Sequence, residues 1–478
     1  MLGVQIYACD TKDCAGENRV GVRGACCRSS AKLSDNKRGR IMKKTIVLSL
    51  VISACLFAAK KEITKTGWNF GLLPVIAYNT DLGFEYGVLF NFVNFGDGSS
   101  YPNYNQKVYV EASRYTKGSG IYRVYYDSYT LIPGLRFIGD VSYLPDRAYT
   151  FYGYNGYESV YNADWEDPDA PSYRTRVFYR YDRDFLRLKA DFQGKIRGNT
   201  LRWAAGITGR NCKVASVDID KMNKGQDEED KLTPQPGLYE KYVDWGLISD
   251  AEKDGGFITT VKAGLIYDSR DVISDPGRGI WSEATLIASP RALGSEVDFI
   301  KLNLTHRQYI TLWPQTLVFA YRLGYQETLS GKTPFYYLPI IEPSEMLASK
   351  SEGLGGAQFN RGIMRTRMIG EGMLYGNFEF RLKFWRFTVA NQNIYLGTNL
   401  FLDAGRVVTP VDVDVSQVTA TEDQIAYFHP GAEKMHYSTG LGFKIAMNQN
   451  FIVSVDYGVA LDEQDGDSGL YILLNYLF

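Results

Sequence analysis

The residues of this chain best suited to specific chemistry are one arginine and the glycines around it. Arg361-Gly362 follows Gly353, Gly355 and Gly356. Glycine lets a backbone turn sharply, so this stretch can place one guanidinium at a chosen point, where it would take a carboxylate in a bidentate pair. The alternative is an ordinary hairpin loop with a surface arginine, since glycine-rich loops before strands are common.

No pattern typical of an enzyme accompanies this arginine. The chain has three histidines, His306, His429 and His436, and contains no HExxH, CxxC or GxSxG sequence. Glu379 and Asp403 could imitate a catalytic carboxylate pair, but the arginines near them favour a structural ion network. We therefore expect no catalytic residue, no metal site and no cofactor.

The glycine-rich stretch leads into a strand with a strict two-residue period. One face carries Asn377, Glu379, Arg381 and Lys383, and the other carries Phe378, Phe380, Leu382 and Phe384. The same alternation recurs in Lys107–Ser113, Leu186–Ile196 and Ile300–Thr305. Strands with one apolar and one charged face fit either the outer strands of a soluble sandwich or a transmembrane barrel with lipid outside and water or ion pairs inside.

Two features favour the membrane barrel. Met42-Lys43-Lys44 precedes the apolar run Thr45–Ala59, a pattern typical of a secretory signal peptide. That run is too short for a transmembrane helix, which needs about 20 residues. Beyond residue 185, short connections such as Arg197–Thr200 alternate with long ones such as Thr328–Glu371, as expected for periplasmic turns and outside loops.

These signals predict three segments in the chain. Residues 1–41 are a non-native upstream extension, 42–59 the signal peptide and 60–478 the barrel. The alternative is a genuine N-terminal arm ahead of an internal anchor. Ile52-Ser53-Ala54-Cys55 also resembles a lipoprotein cleavage box, so lipidation of Cys55 competes with ordinary cleavage near Ala58 or Ala59. Ordinary cleavage is favoured because a barrel anchors itself.

Composition agrees with a barrel. The formal net charge is -1, which argues against a nucleic-acid partner, since such a protein needs a basic stripe. The mean hydropathy of -0.23 suits a barrel in which every second strand residue faces lipid. The chain has 35 tyrosines, and tyrosine is enriched where the apolar band of a membrane protein meets water. Cys212 is the only cysteine beyond residue 60.

The alternation predicts seventeen candidate strands, of which one must be wrong, because single-chain bacterial barrels have an even number. The candidates are 68–79, 83–95, 105–115, 120–130, 134–144, 174–182, 185–196, 201–212, 257–270, 279–289, 296–309, 315–327, 372–387, 394–407, 436–447, 450–460 and 469–478. The extra one is either 68–79 or part of 120–182, so we predict sixteen strands.

The last candidate strand ends on an aromatic residue. Ile472, Leu474, Tyr476 and Phe478 would form one face. Tyr476 and Phe478 would then serve as the terminal assembly signal of an outer-membrane barrel. A soluble C-terminal strand could look the same.

Five groups of residues occur through the second half of the chain in an order known from one family. They are Tyr267-Asp268-Ser269-Arg270-Asp271 with Gly277-Arg278-Gly279, Gly355-Gly356 with Arg361-Gly362, Asn377-Phe378-Glu379-Phe380-Arg381, Phe401-Leu402-Asp403-Ala404-Gly405-Arg406, and Gly440-Leu441-Gly442. On these residues the chain resembles the bacterial surface antigen barrel, the membrane domain of the BamA/TamA and two-partner-secretion superfamily. The first half matches only loosely, mainly through 73–78.

The resemblance implies an all-β fold, a transmembrane antiparallel barrel of sixteen strands with a long lumenal plug loop. It implies that the Arg-Gly loop is the sixth outside loop, between strands 11 and 12. It also implies that Arg361 meets an acidic residue of the inner wall, which by motif is Asp403, with Glu379 as the second candidate. Larger members carry periplasmic POTRA modules, for which residues 60–68 leave no room, so we expect a short member in which insertase activity is doubtful.

Two functions follow as hypotheses. The first is a barrel in the outer membrane of a Gram-negative bacterium that opens between its first and last strands and assists protein translocation or assembly. The alternative is a passive structural barrel or a small-solute channel gated by its sixth outside loop. Expected partners are outer-membrane lipid, the barrel assembly machinery during biogenesis and an unidentified periplasmic or secreted protein. A soluble lipid-binding barrel is disfavoured by the signal peptide and the charged inner faces.

Processing of the N-terminus provides the first test. We expect the mature membrane-bound protein to lack at least residues 1–54, because signal peptides are removed on export. Mass spectrometry of the outer-membrane form should therefore detect no peptide that contains Cys9 or Cys14. Finding such a peptide would contradict the predicted start at Met42, and labelling of Cys55 by a lipid precursor would select the lipoprotein alternative.

Overall fold

The computed structural model describes residues 62–79, 83–345 and 352–478. The predicted extension and signal peptide lie outside these residues. The described strands form one antiparallel sheet. They are β1 (Trp68–Asn79), β2 (Gly83–Asn94), β3 (Gln106–Tyr115), β4 (Gly120–Ile132), β5 (Leu135–Tyr143), β6 (Asp146–Thr150), β7 (Arg180–Arg197), β8 (Leu201–Ala215), β9 (Gly255–Asp268), β10 (Gly279–Ser289), β11 (Phe299–Trp313), β12 (Leu317–Gly331), β13 (Gly372–Val389), β14 (Gln392–Thr409), β15 (His436–Met447), β16 (Phe451–Ala460) and β17 (Ser468–Leu474).

The α-helices of the described residues are short and lie in the long loops. They are α1 (Ile219–Asn223), α2 (Leu238–Asp244) and α3 (Thr421–Tyr427). None of the helices described is long and apolar enough to cross a membrane.

Each strand pairs with the next one along the chain, with one exception. β5 and β6 both pair with β7, with Tyr143 opposite Leu186 and Thr150 opposite Arg180. β6 therefore prolongs β5 at its outer end, and the seventeen strands make sixteen positions around the barrel, which confirms the predicted number. The candidate strand 174–182 was wrong. Only 180–182 are in a strand, as the start of β7, and Phe178 and Tyr179 before it are apolar because they pack into a buried aromatic cluster.

The sidedness predicted for β13 is confirmed. Asn377, Glu379 and Arg381 are almost completely buried inside the barrel, whereas Phe380 is 48% exposed on the outside. Charged residues on the inner face can pair with one another away from lipid. The apolar residues on the outer face can contact lipid because they need no polar partner.

The two ends of the sheet overlap instead of pairing. Val453 of β16 lies directly opposite Leu474 of β17, so the two side chains share a face. It is the outer face, because the neighbouring Ser454 and Asp456 are buried in the lumen. Val453 and Leu474 nevertheless pack against Leu73 and Val75 of β1.

Leu73 and Val75 are on the inner face of β1, since they alternate with the exposed Leu72 and Ile76. The inner face of β1 therefore covers the outer face of β16 and β17. The approach is close, because a Cβ built on Gly71 would lie 2.4 Å from the ring of Phe451. Within the described residues no ladder joins β1 to β17. Apolar side chains pack across this junction, which is here called the seam.

The C-terminus turns into the lumen just beyond β17. Asn475 has a φ of 67°, and its N–H donates to the carbonyl of Ile452 at 2.7 Å. Tyr476 and Phe478 are buried, with the guanidinium of Arg381 4.2 Å and 4.7 Å from their ring centres. The prediction that both share a face with Ile472 and Leu474 was wrong, since the strand ends at Leu474. The Arg381 cation and buried apolar side chains of the wall, such as Val318 and Ile452, hold these last aromatic residues inside.

The long loops close one mouth of the barrel with an aromatic cluster. Segments that follow β6, β8, β12 and β14 all contribute to it. Its ring-bearing members from these loops are Phe151, Tyr152, Tyr154, Trp165, Phe178, Tyr179, Tyr239, Tyr242, Phe335, Tyr336, Tyr337, Tyr427 and Phe428, and the strands β6, β7 and β11 add Tyr149, Tyr181, Phe185 and Phe299. Burial of so many rings makes this cover a packed unit.

The turn 269–278, between β9 and β10, extends across the opposite mouth and meets the turn between β2 and β3. The N–H of Ile273 donates to Asn103 at 2.8 Å, and the side chain of Asn103 donates to the carbonyl of Asp271 at 3.3 Å. Ser274 donates to Asn450 at 2.9 Å. The described chain thus obstructs both mouths.

The lipid face of β13 can be tested at its centre. We expect Phe380→Arg to lower the free energy of unfolding by ~2–4 kcal/mol if residue 380 lies at the bilayer midplane, because an arginine there must reach water from hydrocarbon. Equilibrium unfolding in lipid vesicles measures the loss, and Phe380→Leu is the control that keeps an apolar side chain. A cysteine at position 379 that reacts with lipid-soluble probes would show that the register is shifted by one residue.

Candidate functional site

The candidate site is built by the long loop Lys332–Glu371, here called the plug loop. The described residues of its first arm lie inside the lumen, and three of their glutamates pair with arginines of the wall. The pairs are Glu342 with Arg210, Glu345 with Arg136 at 3.0 Å, and Glu352 with Arg183 at 3.0 Å. Arg136 is the second residue of β5, at the short-turn end, so this arm reaches across most of the lumen.

Glycines allow the second arm to turn. Gly355 has a φ of 112°, and a Cβ there would lie 2.0 Å from the carbonyl oxygen of Met364. Gly362 has a φ of 100°, and a Cβ there would lie 2.5 Å from the main-chain nitrogen of Val459 on β16. Both positions need glycine, because side chains would be strained and would clash. The predicted sharp turn beside Arg361 thus has a steric cause.

Arg361 is completely buried and meets Asp403 in a bidentate pair. Its Nε donates to Oδ2 at 2.9 Å and its Nη2 donates to Oδ1 at 3.0 Å. The main-chain N–H of Arg361 donates to Oδ2 at 3.1 Å. Asn377 adds a further donor to Oδ1 at 2.8 Å. The carboxylate thus accepts four hydrogen bonds, which compensate for its loss of water.

Two more carboxylates face the same guanidinium. Nη1 of Arg361 lies 2.7 Å from Oε1 of Glu379 and 3.2 Å from Oδ2 of Asp456. Two further cations balance them, because Arg381 pairs with Glu379 at 2.7 Å and Lys444 pairs with Asp456 at 2.5 Å. Three cations and three carboxylates therefore form one neutral buried network.

The structure thus brings Arg361, Gly362, Asp403 and Glu379 together. Sequence reasoning missed Asp456 of β16, although it alternates with Val455 and Tyr457 on an inward position. It also missed two contacts of the arginine segment. The ring of Phe401 lies 3.6 Å from the Arg361 guanidinium, and Tyr471 accepts the N–H of Gly362 at 2.9 Å through its hydroxyl oxygen.

The family-motif residues divide between two places. Gly355, Gly356 and Gly405 lie at the plug loop, and a Cβ on Gly405 would be 3.1 Å from the Asn360 side chain.

Asp268, Arg270 and Gly279 lie instead at the short-turn end. Arg270 pairs with Asp268 at 2.8 Å, and its guanidinium lies 3.9 Å from the ring centre of Trp281. Arg307 approaches the same ring at 3.8 Å. A Cβ on Gly279, whose φ is 110°, would lie 2.4 Å from the carbonyl of Ser269. This second cluster supports the turn that crosses the mouth.

Chemically, the Arg361 network is suited to holding the loop in place. Each nitrogen of the guanidinium faces a carboxylate oxygen, and no cluster of three or more metal-ligating side chains occurs among the described residues. Such a site fixes one conformation and leaves no bonding position for a reacting group.

The sequence-family model of the Omp85 superfamily domain matches residues 104–473 of this chain. The chain belongs to the Omp85 superfamily. Members of this superfamily are β-barrels of the Gram-negative outer membrane, so this Omp85 protein resides there. Its short turns face the periplasm, and its long loops face the outside.

One solved structure with a TM-score above 0.5 agrees with the fold. CdiB from Escherichia coli is 10% identical, with a TM-score of 0.52 over 88% of this chain and 64% of that chain. This chain thus spans less than two thirds of that protein. BamA from Haemophilus ducreyi lacking POTRA domains 1-3 is 14% identical, with a TM-score of 0.47 over 91% of this chain and 77% of that chain. No curated protein matches the chain.

A double-mutant cycle tests whether the pair holds the plug loop. We expect Arg361→Ala and Asp403→Ala each to cost ~3–5 kcal/mol, because each leaves buried charge uncompensated. The double mutant should be little worse than the more severe single mutant, since both remove one shared interaction. Arg361→Lys should rescue in part, because lysine cannot form the bidentate pair. Heat-modifiable folded yield and protease cleavage of the loop report the effect.

The matched control is Arg365→Ala. Arg365 is in the same loop but pairs with Asp146 at 3.0 Å. Full additivity of the Arg361 and Asp403 substitutions would refute their pairing, and the cycle would then be repeated with Glu379 and Asp456.

Proposed function

We propose that this Omp85 barrel assists protein translocation or assembly at the outer membrane by opening between β1 and β17. The observation that supports this most is the seam, at which apolar side chains take the place of a backbone ladder. Among the described strands, every other pair of neighbours in the sheet is joined by a backbone ladder, in places interrupted by a bulge.

The energetics favour separation at this seam. Opening a ladder inside a membrane leaves N–H and C=O groups without water, at several kcal/mol for each group. Parting Leu73 and Val75 from Val453 and Leu474 costs much less, because lipid tails are as apolar as the contact that is lost. The seam is therefore the weakest place in the wall.

The unpaired edges also suit a guest strand. An edge strand presents a row of donors and acceptors, and a strand of another chain can satisfy them by adding to the sheet. The partner would be an unidentified periplasmic or secreted protein whose segments pass through the seam in extended form. The barrel's own assembly would use the barrel assembly machinery.

The occupied lumen weighs against the alternative of a small-solute channel. Three ion pairs of the plug loop cross the lumen, the aromatic cluster covers the outer mouth and the turn 269–278 obstructs the periplasmic mouth. A solute would have to displace all of these, whereas lateral opening leaves them in place.

A reversible lock on the seam tests the proposal. In a background with Cys212→Ala, Gly71→Cys and Phe451→Cys would place two thiols where β1 covers β16. We expect the oxidised variant to fail to restore the outer-membrane and secreted proteins that a strain lacking the barrel loses, and dithiothreitol to restore them. Quantitative proteomics of outer membranes and culture medium provides the measurement.

The matched control places a disulfide within a continuous ladder. Leu286 and Leu302 lie directly opposite each other on β10 and β11, and linking them should leave function intact. Full complementation by the oxidised seam variant would overturn lateral opening. Single-channel conductance in planar bilayers that persists in that variant would select the channel alternative.

A further inference from the structure

A cleft of about 310 Å³ lies on the outer surface, between the loop that follows β6 and the loop that follows β14. We propose that it binds an extended, positively charged peptide segment presented from outside the cell. This inference is separate from the seam, because the cleft is built entirely from outside loops.

The walls of the cleft are held in place by hydrogen bonds between the two loops. The side chain of Asn155 donates to the carbonyl of Val411 at 2.9 Å and accepts the N–H of Val411 at 2.7 Å. The N–H of His429 donates to the carbonyl of Glu158 at 2.8 Å, and the N–H of Gly431 donates to its carboxylate at 3.0 Å. The cleft therefore exists before any ligand binds, which lowers the entropic cost of binding.

A second network joins the same loops behind the cleft. His436 lies 2.6 Å from Asp465 and 3.2 Å from Glu433. The ring of Tyr157 stacks on the His436 imidazole with a centroid distance of 3.7 Å, and its hydroxyl donates to Asp465 at 2.6 Å. These contacts fix residues 156–157 against the start of β15, so the wall that carries Glu158 is rigid.

One wall of the cleft is a short extended segment with alternating side chains. Val411 and Val413 are half-buried towards the cleft and the aromatic cluster, whereas Asp412 and Asp414 are exposed. Within the described chain, the N–H groups of Asp412 and Val413 have no hydrogen-bond partner. Successive N–H groups of an extended segment point to opposite edges, so an added peptide strand can use one of these donors while its alternate side chains enter the cleft.

The charge of the cleft selects the sign of its ligand. Glu158 and Asp412 line it, and no lysine, arginine or histidine is among the described residues that do. The loop 410–435 as a whole contains the acidic residues Asp412, Asp414, Glu422, Asp423 and Glu433, with Lys434 as its basic residue.

Apolar surface beside uncompensated carboxylates fits the side chains of lysine and arginine. Their aliphatic stems can lie on Val411, Val413 and Phe428 while their charged ends reach Glu158 and Asp412. The volume is at the lower end of the range of ligand pockets, so it suits a few residues of an extended chain. Anionic glycans and nucleic acids would be repelled.

The test uses the full barrel in nanodiscs and a labelled probe. The probe is a fluorescein-labelled octapeptide of alternating lysine and valine, and its counterpart alternates glutamate and valine. We expect saturable binding of the lysine peptide by fluorescence anisotropy, weakened by added salt, and no binding of the glutamate peptide.

Two variants separate the cleft from general attraction to an acidic surface. Asp412→Lys reverses a charge inside the cleft, and Val413→Arg fills it, so each should weaken binding at least tenfold. The matched control is Glu422→Lys, which makes the same charge change on α3 in the same loop but outside the cleft, and it should change binding less than twofold. Asp412 and Glu422 are exposed and Val413 is half-buried, and heat-modifiable mobility confirms that each variant folds.

Three results would overturn the proposal. They are an equal loss of binding in Glu422→Lys and Asp412→Lys, binding of the glutamate peptide as tight as that of the lysine peptide, and no saturable binding to the wild-type barrel. Binding that is unchanged in the oxidised seam variant would show that the cleft acts independently of lateral opening.

Discussion

The rest of the lumen depends on a single buried guanidinium. Arg361 has no access to water, so its charge is tolerable only because Asp403, Glu379 and Asp456 surround it. These carboxylates come from β13, β14 and β16, and the arginine therefore joins three strands of the C-terminal half to one loop. The glycines on either side of it make the close approach of the loop to these strands sterically possible.

The same network explains why the C-terminal edge is set inward. Arg381 balances Glu379 and also holds the last residues, because its Nη2 donates to an oxygen of Phe478 at 3.0 Å. Drawing the terminus into the lumen shortens β17 and leaves β1 without a strand to pair with. The buried network that holds Arg361 therefore lies next to the junction at which apolar packing takes the place of a ladder.

Much of the fold could be predicted because alternation is a local property. The inward Glu379 and outward Phe380 follow from the two-residue period of β13. Counting such periods gave seventeen candidates, and the even number of strands in single-chain barrels reduced them to sixteen. The false candidate at 174–182 shows where this reasoning fails. Phe178 and Tyr179 are apolar because they pack into the aromatic cluster, and they do not face lipid. Many tyrosines likewise pack in the aromatic cluster over the outer mouth, whereas composition alone assigned them to the membrane interface.

The sequence by itself determined most of the strands, their sidedness and the presence of Arg361 on a glycine-rich loop, because backbone geometry and side-chain period act over a few residues. It pointed to Asp403 only through the order of family motifs. Only the tertiary structure decided that Asp456 and Lys444 complete the network, that β1 overlaps β16 and β17, and that the last residues turn inward. Those features depend on contacts between residues far apart in the chain, such as Arg361 and Asp456, and no local pattern encodes which distant partners a buried charge will meet.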